Sequence, residues 1–250
     1  MTNAHREVAV VSGGLGAIGT AICRELASSL GLQVVALDLP ADAARTRAFL
    51  DALAGHEARH LDCDVADGAQ CEAVIARIEA EAGPIAVLVN NAGITRDSTL
   101  RNMTREQWDQ VRAVNYDGVY NLTRPALEPM LARGYGRIVN VASVVGQTGA
   151  FGQSNYAASK AAVHGFTMAL AREVARKGVT VNSVSPGYVR SAMTEAIPEA
   201  VRAQILANVP VGRIGEPDDI ARAVAFLCAA QSSYLTGVNL PVNGGLFISS

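Results

Sequence analysis

Short, almost continuously apolar runs alternate along this chain with longer segments in which apolar residues recur at helical spacing. Continuous apolar runs bounded by turn residues are typical of strands that are buried on both faces of a parallel sheet. The predicted strands are Val8–Ser12, Gln33–Asp38, Ala58–Asp62, Ile85–Asn90, Arg137–Ser143, Val179–Val184 and Val238–Val242.

Helices are predicted between these strands. They are Ile18–Leu30, Ala41–Ala54, Gly68–Ala82, Arg105–Arg133, Ser154–Lys177 and Pro217–Ala229. This alternation predicts an α/β fold: a single-domain, Rossmann-like, doubly wound parallel β-sheet flanked by helices, spanning residues 1–250. Met193–Asn208 has the least regular helical pattern and lies between Gly187 and Pro210, so it is a candidate mobile lid.

Composition narrows the classes of function. Half of the 250 residues are hydrophobic, and the formal net charge of −2 without a basic block disfavours nucleic acid and membranes as partners. No apolar run approaches the roughly 20 residues of a membrane span, and no signal-peptide pattern occurs. The histidines, including His164, lack metal-ligand spacing and are expected on helices or the surface. The cysteines also lack it, which favours reduced thiols, no metal site and a cytoplasmic location. They are Cys23, Cys63, Cys71 and Cys228.

A glycine-rich turn follows the first predicted strand and opens the first predicted helix, with the pattern Gly14-x-Gly16-x-x-Gly19. Glycines at such a place let the backbone approach a pyrophosphate, which lies at the positive N-terminus of the helix. The motif alone is also compatible with a simple tight turn, but its position between a strand and a helix predicts a dinucleotide site. The residues predicted to bind the cofactor here are Ser12, Gly13, Leu15, Gly16, Ala17, Ile18 and Gly19.

Asp38 ends the second predicted strand, 22 residues after Gly16. A carboxylate there can accept hydrogen bonds from both hydroxyls of an adenosine ribose. It repels a 2′-phosphate by about 4 kcal/mol, for unit charges ~4 Å apart at an effective dielectric of ~20. No basic residue occurs at Leu39-Pro40 or in the glycine turn to offset this repulsion. We therefore predict NAD(H) as the cofactor, with NADP less favoured. The alternative is that Asp38 merely caps the next helix.

Tyr156 and Lys160 are four residues apart, so they lie on one face of a predicted helix. A free tyrosine hydroxyl has a pKa near ~10, and a neighbouring ammonium favours the phenolate and lowers that pKa. Lowering it to about 7 requires roughly 4 kcal/mol. The spacing suits proton transfer at a carbonyl or alcohol oxygen. Taken alone, it is more often found on an ordinary solvated helix face.

Taken together, the motifs resemble those of the short-chain dehydrogenase/reductase family, and the resemblance covers essentially the whole chain. They are the glycine turn, Asp64-Val65, Asn90-Asn91-Ala92-Gly93, Asn115, Ser143, Tyr156, Lys160 and Pro186-Gly187. Within the family the chain is most similar to 3-oxoacyl thioester reductases, which act on acetoacetyl-CoA or on acyl-carrier-protein thioesters. The segments that carry this similarity are 90–97, 165–174 and 242–245, and the segment 151–156 favours the CoA-using branch.

The resemblance implies roles for individual residues. Tyr156 would be the acid/base, and Lys160 would lower its pKa and hold the nicotinamide ribose. Ser143 would stabilise charge on the substrate carbonyl, and Asn115 would support a water that relays protons to Lys160. Phe151, Gln153 and Tyr188 flank the expected active site and would contact substrate, with packing as the alternative. Further cofactor contacts are implied for Asp64, Val65, Asn91, Ala92, Gly93, Tyr156, Lys160, Pro186, Gly187, Val189 and Ser191.

Some positions depart from the family pattern. Ser12 and Ser191 replace the usual threonines and keep a hydroxyl, whereas Ala17 replaces a glycine and is tolerable only with a negative φ. Biosynthetic 3-oxoacyl reductases of the family mostly use NADPH, so Asp38 instead favours an NADH-linked enzyme.

These features predict an NAD(H)-preferring oxidoreductase that transfers a hydride between nicotinamide and C3 of a 3-oxoacyl or 3-hydroxyacyl thioester. The alternatives are an NAD-dependent secondary-alcohol or aryl-ketone dehydrogenase, a 3-oxoacyl-carrier-protein reductase, and a non-catalytic NAD-binding subunit. The expected substrate is a small-molecule acyl-CoA. The resemblance also implies a homotetramer that pairs through Arg105–Arg133, Ser154–Lys177 and the C-terminal strand.

Overall fold

The computed structural model describes residues 7–191 and 199–248, and its strands form a seven-stranded sheet in the order β3-β2-β1-β4-β5-β6-β7. Every neighbouring pair in this sheet is parallel. The predicted α/β fold with a doubly wound parallel sheet is therefore confirmed. The strands are β1 Val8–Ser12, β2 Gln33–Asp38, β3 Ala58–Asp62, β4 Ile85–Asn90, β5 Gly136–Val141, β6 Val179–Pro186 and β7 Asn239–Val242.

Helices connect successive strands. They are α1 Ala17–Leu30, α2 Ala43–Ala52, α3 Gly68–Glu81, α4 Arg105–Arg112, α5 Gly118–Arg133, α6 Val145–Thr148, α7 Ser154–Val174, α8 Glu199–Ala207 and α9 Pro217–Cys228. A π-helical turn, Ala113–Asp117, joins α4 to α5, and a 3-10 turn, Ala175–Lys177, follows α7. Of the candidate lid, Glu199–Ala207 is helical, whereas residues 193–198 lie outside the described residues.

The two faces of the sheet are covered by different helices, and the alternation within β1 shows how. Ala9 and Val11 belong to the apolar cluster that includes side chains of α1 and α9. Val8 and Val10 belong to the cluster that includes side chains of α3, α5 and α7. Because both faces of the strand are buried, its sequence is continuously apolar rather than alternating. Each fully buried aliphatic side chain contributes about 1.5–3 kcal/mol to this packing.

The strand order reverses between β1 and β4, and this reversal positions the site. From β1 the chain adds β2 and β3 on one side, and then returns so that β4 pairs with β1 on the other. The connections that leave the carboxyl ends of β1 and β4 diverge there and leave a crevice. The glycine turn and the segment 91–93 both begin at that crevice. Within residues 7–191 and 199–248, no helix has both the length and the apolar character of a membrane span.

Candidate active site

The turn between β1 and α1 has no room for a side chain at Gly13, Gly14 or Gly19. Gly13 has a φ of +62°, and a Cβ there would lie 2.9 Å from Cα of Ala92. A Cβ on Gly19 would lie 2.1 Å from the carbonyl oxygen of Gly13. Gly16 is the N-cap of α1 and provides no side-chain cap, and the first turn of the helix contains no acidic residue. Unoccupied N–H groups at a positive helix end are suited to an anion, so this turn fits the pyrophosphate of a dinucleotide.

Ala17, which replaces a glycine of the family pattern, does not have the positive φ that an alanine would tolerate poorly. It is the first residue of α1, and no non-glycine residue has a positive φ in the described ranges. Its methyl group therefore causes no backbone strain.

Ser12 joins the ends of β1 and β4. Its Oγ accepts hydrogen bonds from the backbone N–H of Asn91 at 3.0 Å and of Ala92 at 3.1 Å. In return, Nδ2 of Asn91 donates to the carbonyl oxygens of Ser12 and Gly13 at 3.0 and 3.1 Å. Ser12 and Asn91 thus hold the glycine turn against the next turn of the crevice.

Asp38 lies at the carboxyl end of β2, beside the glycine turn. Its carboxylate accepts hydrogen bonds from the N–H of Leu15 at 3.1 Å and of Leu39 at 3.0 Å. Asp42 caps α2 by accepting from the N–H of Arg45 at 2.7 Å, so the alternative that Asp38 is the cap is wrong.

A cation also lies beside Asp38, which the sequence analysis did not anticipate. Nη2 of Arg45 is 3.4 Å from both carboxylate oxygens. Arg45 is seven residues after Asp38 in the chain, and the first turn of α2 brings it back to the end of β2.

A cavity of about 570 Å³ adjoins this region. It is lined by Leu15, Gly16 and Ala17 from the glycine turn and by the side chain of Arg45. The residues predicted to be catalytic do not line it. The cavity therefore belongs to the phosphate side of the candidate cofactor site rather than to the reacting centre.

Asp64 and Val65 form the turn after β3, on the same edge of the sheet. Asp64 Oδ1 accepts from the N–H of Ala66 at 2.9 Å. The carbonyl oxygen of Val65 accepts from Nδ2 of Asn121 on α5 at 2.9 Å. The structure therefore brings the predicted adenine contacts to the crevice edge on a hydrogen-bonded turn.

Asn115 lies in the π-helical turn and is fully buried. Its side-chain amide accepts from the N–H of Ile94 at 2.8 Å and donates to the carbonyl oxygen of Ile94 at 2.9 Å. It also donates to Oγ of Ser159 at 3.2 Å. A Cβ on Gly93 would lie 3.3 Å from Nζ of Lys160 and 3.5 Å from Oδ1 of Asn115. The segment after β4 is thus packed directly against two of the predicted catalytic side chains.

Lys160 is buried among the strands rather than exposed on its helix. Only 4% of the residue is accessible, and Nζ donates to the carbonyl oxygen of Val141 at 2.8 Å. Burial lowers the pKa of Lys160 to about 8. Nζ lies 5.7 Å from the centroid of the Tyr156 ring. The alternative of a solvated helix face is therefore wrong for this pair.

Tyr156 and Ser143 lie close enough for their hydroxyl groups to interact. Ser143 Oγ also accepts from the N–H of Val145 at 3.1 Å, which fixes the serine at the start of α6. Helix α6 was not predicted, because four residues are too few to show a helical period.

Burial sets the direction of the pKa shift at Tyr156. It raises the pKa above the ordinary value of 10.0, the interaction with the Ser143 hydroxyl opposes this, and the carboxylate of Asp97 raises it further. Burial penalises the phenolate, and Nζ of Lys160 donates its hydrogen bond to the carbonyl oxygen of Val141. A lowering of this pKa by Lys160 with the nicotinamide bound stays a prediction.

Ser159 and Asp97 lie beside the predicted catalytic residues and were not predicted as site residues. His164, which was expected on a helix or the surface, lies on α7 and adjoins the same site. His164 is part-buried, with Nδ1 3.3 Å from Oγ of Ser183, and its pKa is lowered by burial and by the charge of Lys160. Its position four residues after Lys160 was the available signal, since that spacing shares a helix face. No group of His, Cys, Asp or Glu suited to a metal ion occurs among the described residues.

The segment after β6 borders the same edge. The carbonyl oxygen of Pro186 accepts from the N–H of Val144 at 2.9 Å, and the N–H of Gly187 donates to Val242 at 3.0 Å. Val189 pairs with Gly215 in an isolated parallel bridge. Ser191 is the last described residue before position 199.

The three predicted substrate residues differ in exposure. Phe151 is 94% exposed, so it has no packing role in this chain. Nε2 of Gln153 donates to Asp97 at 2.8 Å, and the carbonyl oxygen of Tyr188 accepts from the N–H of Gly215 at 2.9 Å.

Known proteins resemble this chain over almost its entire length. A family model described as enoyl-(acyl carrier protein) reductase matches residues 14–247. An acetoacetyl-CoA reductase of Allochromatium vinosum is 49% identical over 243 residues, covering 96% of this chain and 98% of that protein. An acetoacetyl-CoA reductase of Cupriavidus necator is 46% identical, with 96% and 98% covered. The 3-oxoacyl-[acyl-carrier-protein] reductase FabG of Escherichia coli is 42% identical, with 98% and 99% covered.

Proposed function

Because this chain belongs to the short-chain dehydrogenase/reductase family and is an oxidoreductase of keto or hydroxyl groups, we propose that it reduces the C3 carbonyl of a 3-oxoacyl-CoA. One observation carries the proposal: Ser143, Tyr156 and Lys160 converge at the carboxyl edge of the sheet that also holds the glycine turn. The likeness to acetoacetyl-CoA reductases supports a short 3-oxoacyl thioester as the substrate.

Tyr156 is the proton donor in this proposal. Its hydroxyl would give its proton to the carbonyl oxygen of the substrate as the hydride reaches C3. Ser143, which lies beside Tyr156, would stabilise the negative charge that develops on that oxygen. The nicotinamide, when bound, supplies the hydride.

Lys160 and Asn115 support this step. The ammonium of Lys160 would stabilise the Tyr156 phenolate that remains after proton transfer, and it would hold the nicotinamide ribose. Asn115 fixes the backbone at Ile94 beside Lys160 and would support the proton path to the lysine.

The cofactor is proposed to be NAD(H). Asp38 is placed to accept hydrogen bonds from the ribose hydroxyls, and its charge would repel a 2′-phosphate. Arg45 lies 3.4 Å from that carboxylate and offsets part of the repulsion. We therefore expect a preference for NAD(H) rather than a complete exclusion of NADP(H). The turn after β3 would contact adenine, and the segments 91–93 and 186–191 would complete the site.

The cofactor assignment is tested with the variants Asp38→Ala and Arg45→Ala. The first should raise the ratio of kcat/KM for NADPH to that for NADH by about tenfold or more, because it removes the repelling charge. The second, as its matched control, should lower that ratio. The proposal fails if the wild-type enzyme prefers NADPH or if Asp38→Ala leaves the ratio unchanged.

We further propose that the chain acts as one domain over residues 1–250, in the cytoplasm, as a homotetramer paired through its long helices. The exposed apolar side chains on those helices support the pairing. They include Tyr120 on α5 and Met168 on α7, each 53% exposed.

The catalytic assignment is tested with Tyr156→Phe. With acetoacetyl-CoA and NADH, turnover should fall by about 10²–10⁴-fold, since the proton donor is removed, while NADH affinity remains near that of the wild type. Tyr234→Phe is the control, because Tyr234 is fully exposed at 100%. Substantial turnover by Tyr156→Phe would refute the role.

A substrate panel separates the remaining alternatives. Secondary alcohols, aryl ketones and acyl-carrier-protein thioesters would be compared with acetoacetyl-CoA by following NADH absorbance. Preference for an alcohol or aryl ketone would overturn the thioester proposal. A chain that binds NADH but turns over none of these would indicate a non-catalytic subunit.

A further inference from the structure

Two cysteine side chains meet beneath the turn that joins β3 to α3. Cys63 follows the last residue of β3, and Cys71 is the fourth residue of α3. Their Sγ atoms are 3.9 Å apart, and the two residues are 2% and 0% exposed. The turn between them contains Asp64 and Val65, assigned above to the adenine side of the cofactor site.

We propose that this pair is a site of reversible thiol oxidation, in which a Cys63–Cys71 disulfide forms and weakens dinucleotide binding. Disulfide sulfurs are about 2.05 Å apart, so these two must approach each other by roughly 2 Å. That approach draws the first turn of α3 towards the end of β3 and displaces the turn between them. The effect on affinity rests on the proposed function, whereas formation of the disulfide does not.

The contacts shift the pKa values of the two thiols in opposite directions. The hydrogen bond with Cys71 lowers the pKa of Cys63, and that same bond, together with burial, raises the pKa of Cys71. Sγ of Cys71 also lies 3.6 Å from the carbonyl oxygen of Val65. The thiolate is the reactive form. Either sulfur could donate in the contact between them, and we take Cys63 as the nucleophile and Cys71 as the resolving thiol.

The oxidant is a small peroxide. The Cys63 thiolate attacks one peroxide oxygen, so that an S–O bond forms, the O–O bond breaks and hydroxide leaves as a sulfenic acid is made. Cys71 then attacks Sγ of Cys63, loses its proton, forms the S–S bond and releases water. The two sulfurs together lose two electrons, and hydrogen peroxide is reduced to two molecules of water.

Cys23 and Cys228 serve as internal controls. Both are buried in the apolar cluster beneath α1 and α9. Burial raises the pKa of Cys23, and it raises that of Cys228 to about 12, so both stay protonated. Neither has a sulfur neighbour like that of Cys63 in the part of the chain that the structure describes.

The experiment treats the full-length protein with dilute hydrogen peroxide, alkylates the remaining thiols in denaturant and identifies the peptides by mass spectrometry. The expected product is a linked Cys63–Cys71 peptide two hydrogens lighter than the reduced pair, with Cys23 and Cys228 alkylated. NADH affinity, measured by fluorescence titration, should fall about fivefold or more and recover after dithiothreitol. Cys71→Ser should keep its affinity in peroxide.

Several results would overturn the inference. A sulfinic acid on Cys63 without a linkage, or a linkage to another cysteine, would exclude the proposed disulfide. A Cys63–Cys71 disulfide with unchanged NADH affinity would exclude the coupling to the cofactor site. If Cys71→Ser does not fold, the coupling is judged from the wild-type protein alone, by whether dithiothreitol restores its NADH affinity after oxidation. The disulfide is detected by mass spectrometry without any enzyme assay. A failure of the proposed catalytic function would therefore not be mistaken for a failure of the proposed disulfide.

Discussion

At the scale of single residues, the buried lysine is the costliest group in the site. Burial lowers the pKa of Lys160 from 10.5 to about 8, which corresponds to roughly 3 kcal/mol of unfavourable free energy for the charged form. Among residues 7–191 and 199–248, the carbonyl oxygen of Val141 is the one hydrogen-bond acceptor of Nζ, and it offsets part of this cost. Charge retained at such a cost is characteristic of functional sites, where stability and activity conflict.

We therefore expect Lys160→Met to abolish turnover and to stabilise the fold. Below about pH 8 the lysine is charged in both states, so its penalty is fully present. Between about pH 8 and 10.5 the unfolded chain binds more protons, so the wild type gains stability as pH rises and the variant lacks this gain. Urea unfolding at pH 7 should show the variant more stable by roughly 1–3 kcal/mol, with the difference shrinking by pH 10.

Lys177→Met is the matched control, because it removes the other lysine of the chain, which is exposed. It should change the free energy of unfolding by no more than about 0.5 kcal/mol at either pH. A Lys160→Met protein less stable than the wild type at pH 7 would show that the buried ammonium stabilises the fold.

At the scale of elements, the tight glycine turn should tolerate no added methyl group. A Cβ on Gly19 would lie 2.1 Å from the backbone carbonyl of Gly13, which cannot move without opening the turn. We expect Gly19→Ala to weaken NADH binding by about tenfold or more, measured by fluorescence titration.

Gly68→Ala provides the comparison for that variant. Gly68 begins α3, and its added Cβ would lie 3.4 Å from Oδ1 of Asn121, an ordinary contact. The exchange should leave NADH affinity unchanged and raise stability by under about 1 kcal/mol. Equal affinities for Gly19→Ala and the wild type would mean that the turn does not form the cofactor site.

The sequence predicted the elements whose signals are local. All seven strands were found within a few residues, because a strand buried on both faces is an apolar run between turn residues. The π-helical turn at Asn115 was not found, because a single turn of five residues is too short to show a period of its own within Arg105–Arg133. The position of Arg45 beside Asp38 depends on how α2 packs back over β2, and spacing along the chain does not encode that angle.

At the scale of the whole molecule, assembly through the long helices should depend on their exposed apolar side chains. Tyr120→Glu and Met168→Glu would place a carboxylate at the proposed contact, and burying an unpaired charge is strongly unfavourable. We expect each variant to elute as a smaller species than a wild-type tetramer in size-exclusion chromatography with light scattering.

Leu50→Glu is the control for assembly, since Leu50 on α2 is 40% exposed and lies outside the long helices. It should elute with the wild type. A monomeric wild-type protein, or charged variants that remain tetrameric, would exclude pairing through α5 and α7.

The single oxygen of Ser12 that receives two amide hydrogens, from Asn91 and Ala92, has a thermodynamic consequence. The width of the crevice is set when the chain folds, so little conformational entropy remains to be lost when a dinucleotide arrives. Association should therefore be accompanied by almost no rigidification of the surrounding backbone, and amide exchange in both turns should be slow before any ligand is added.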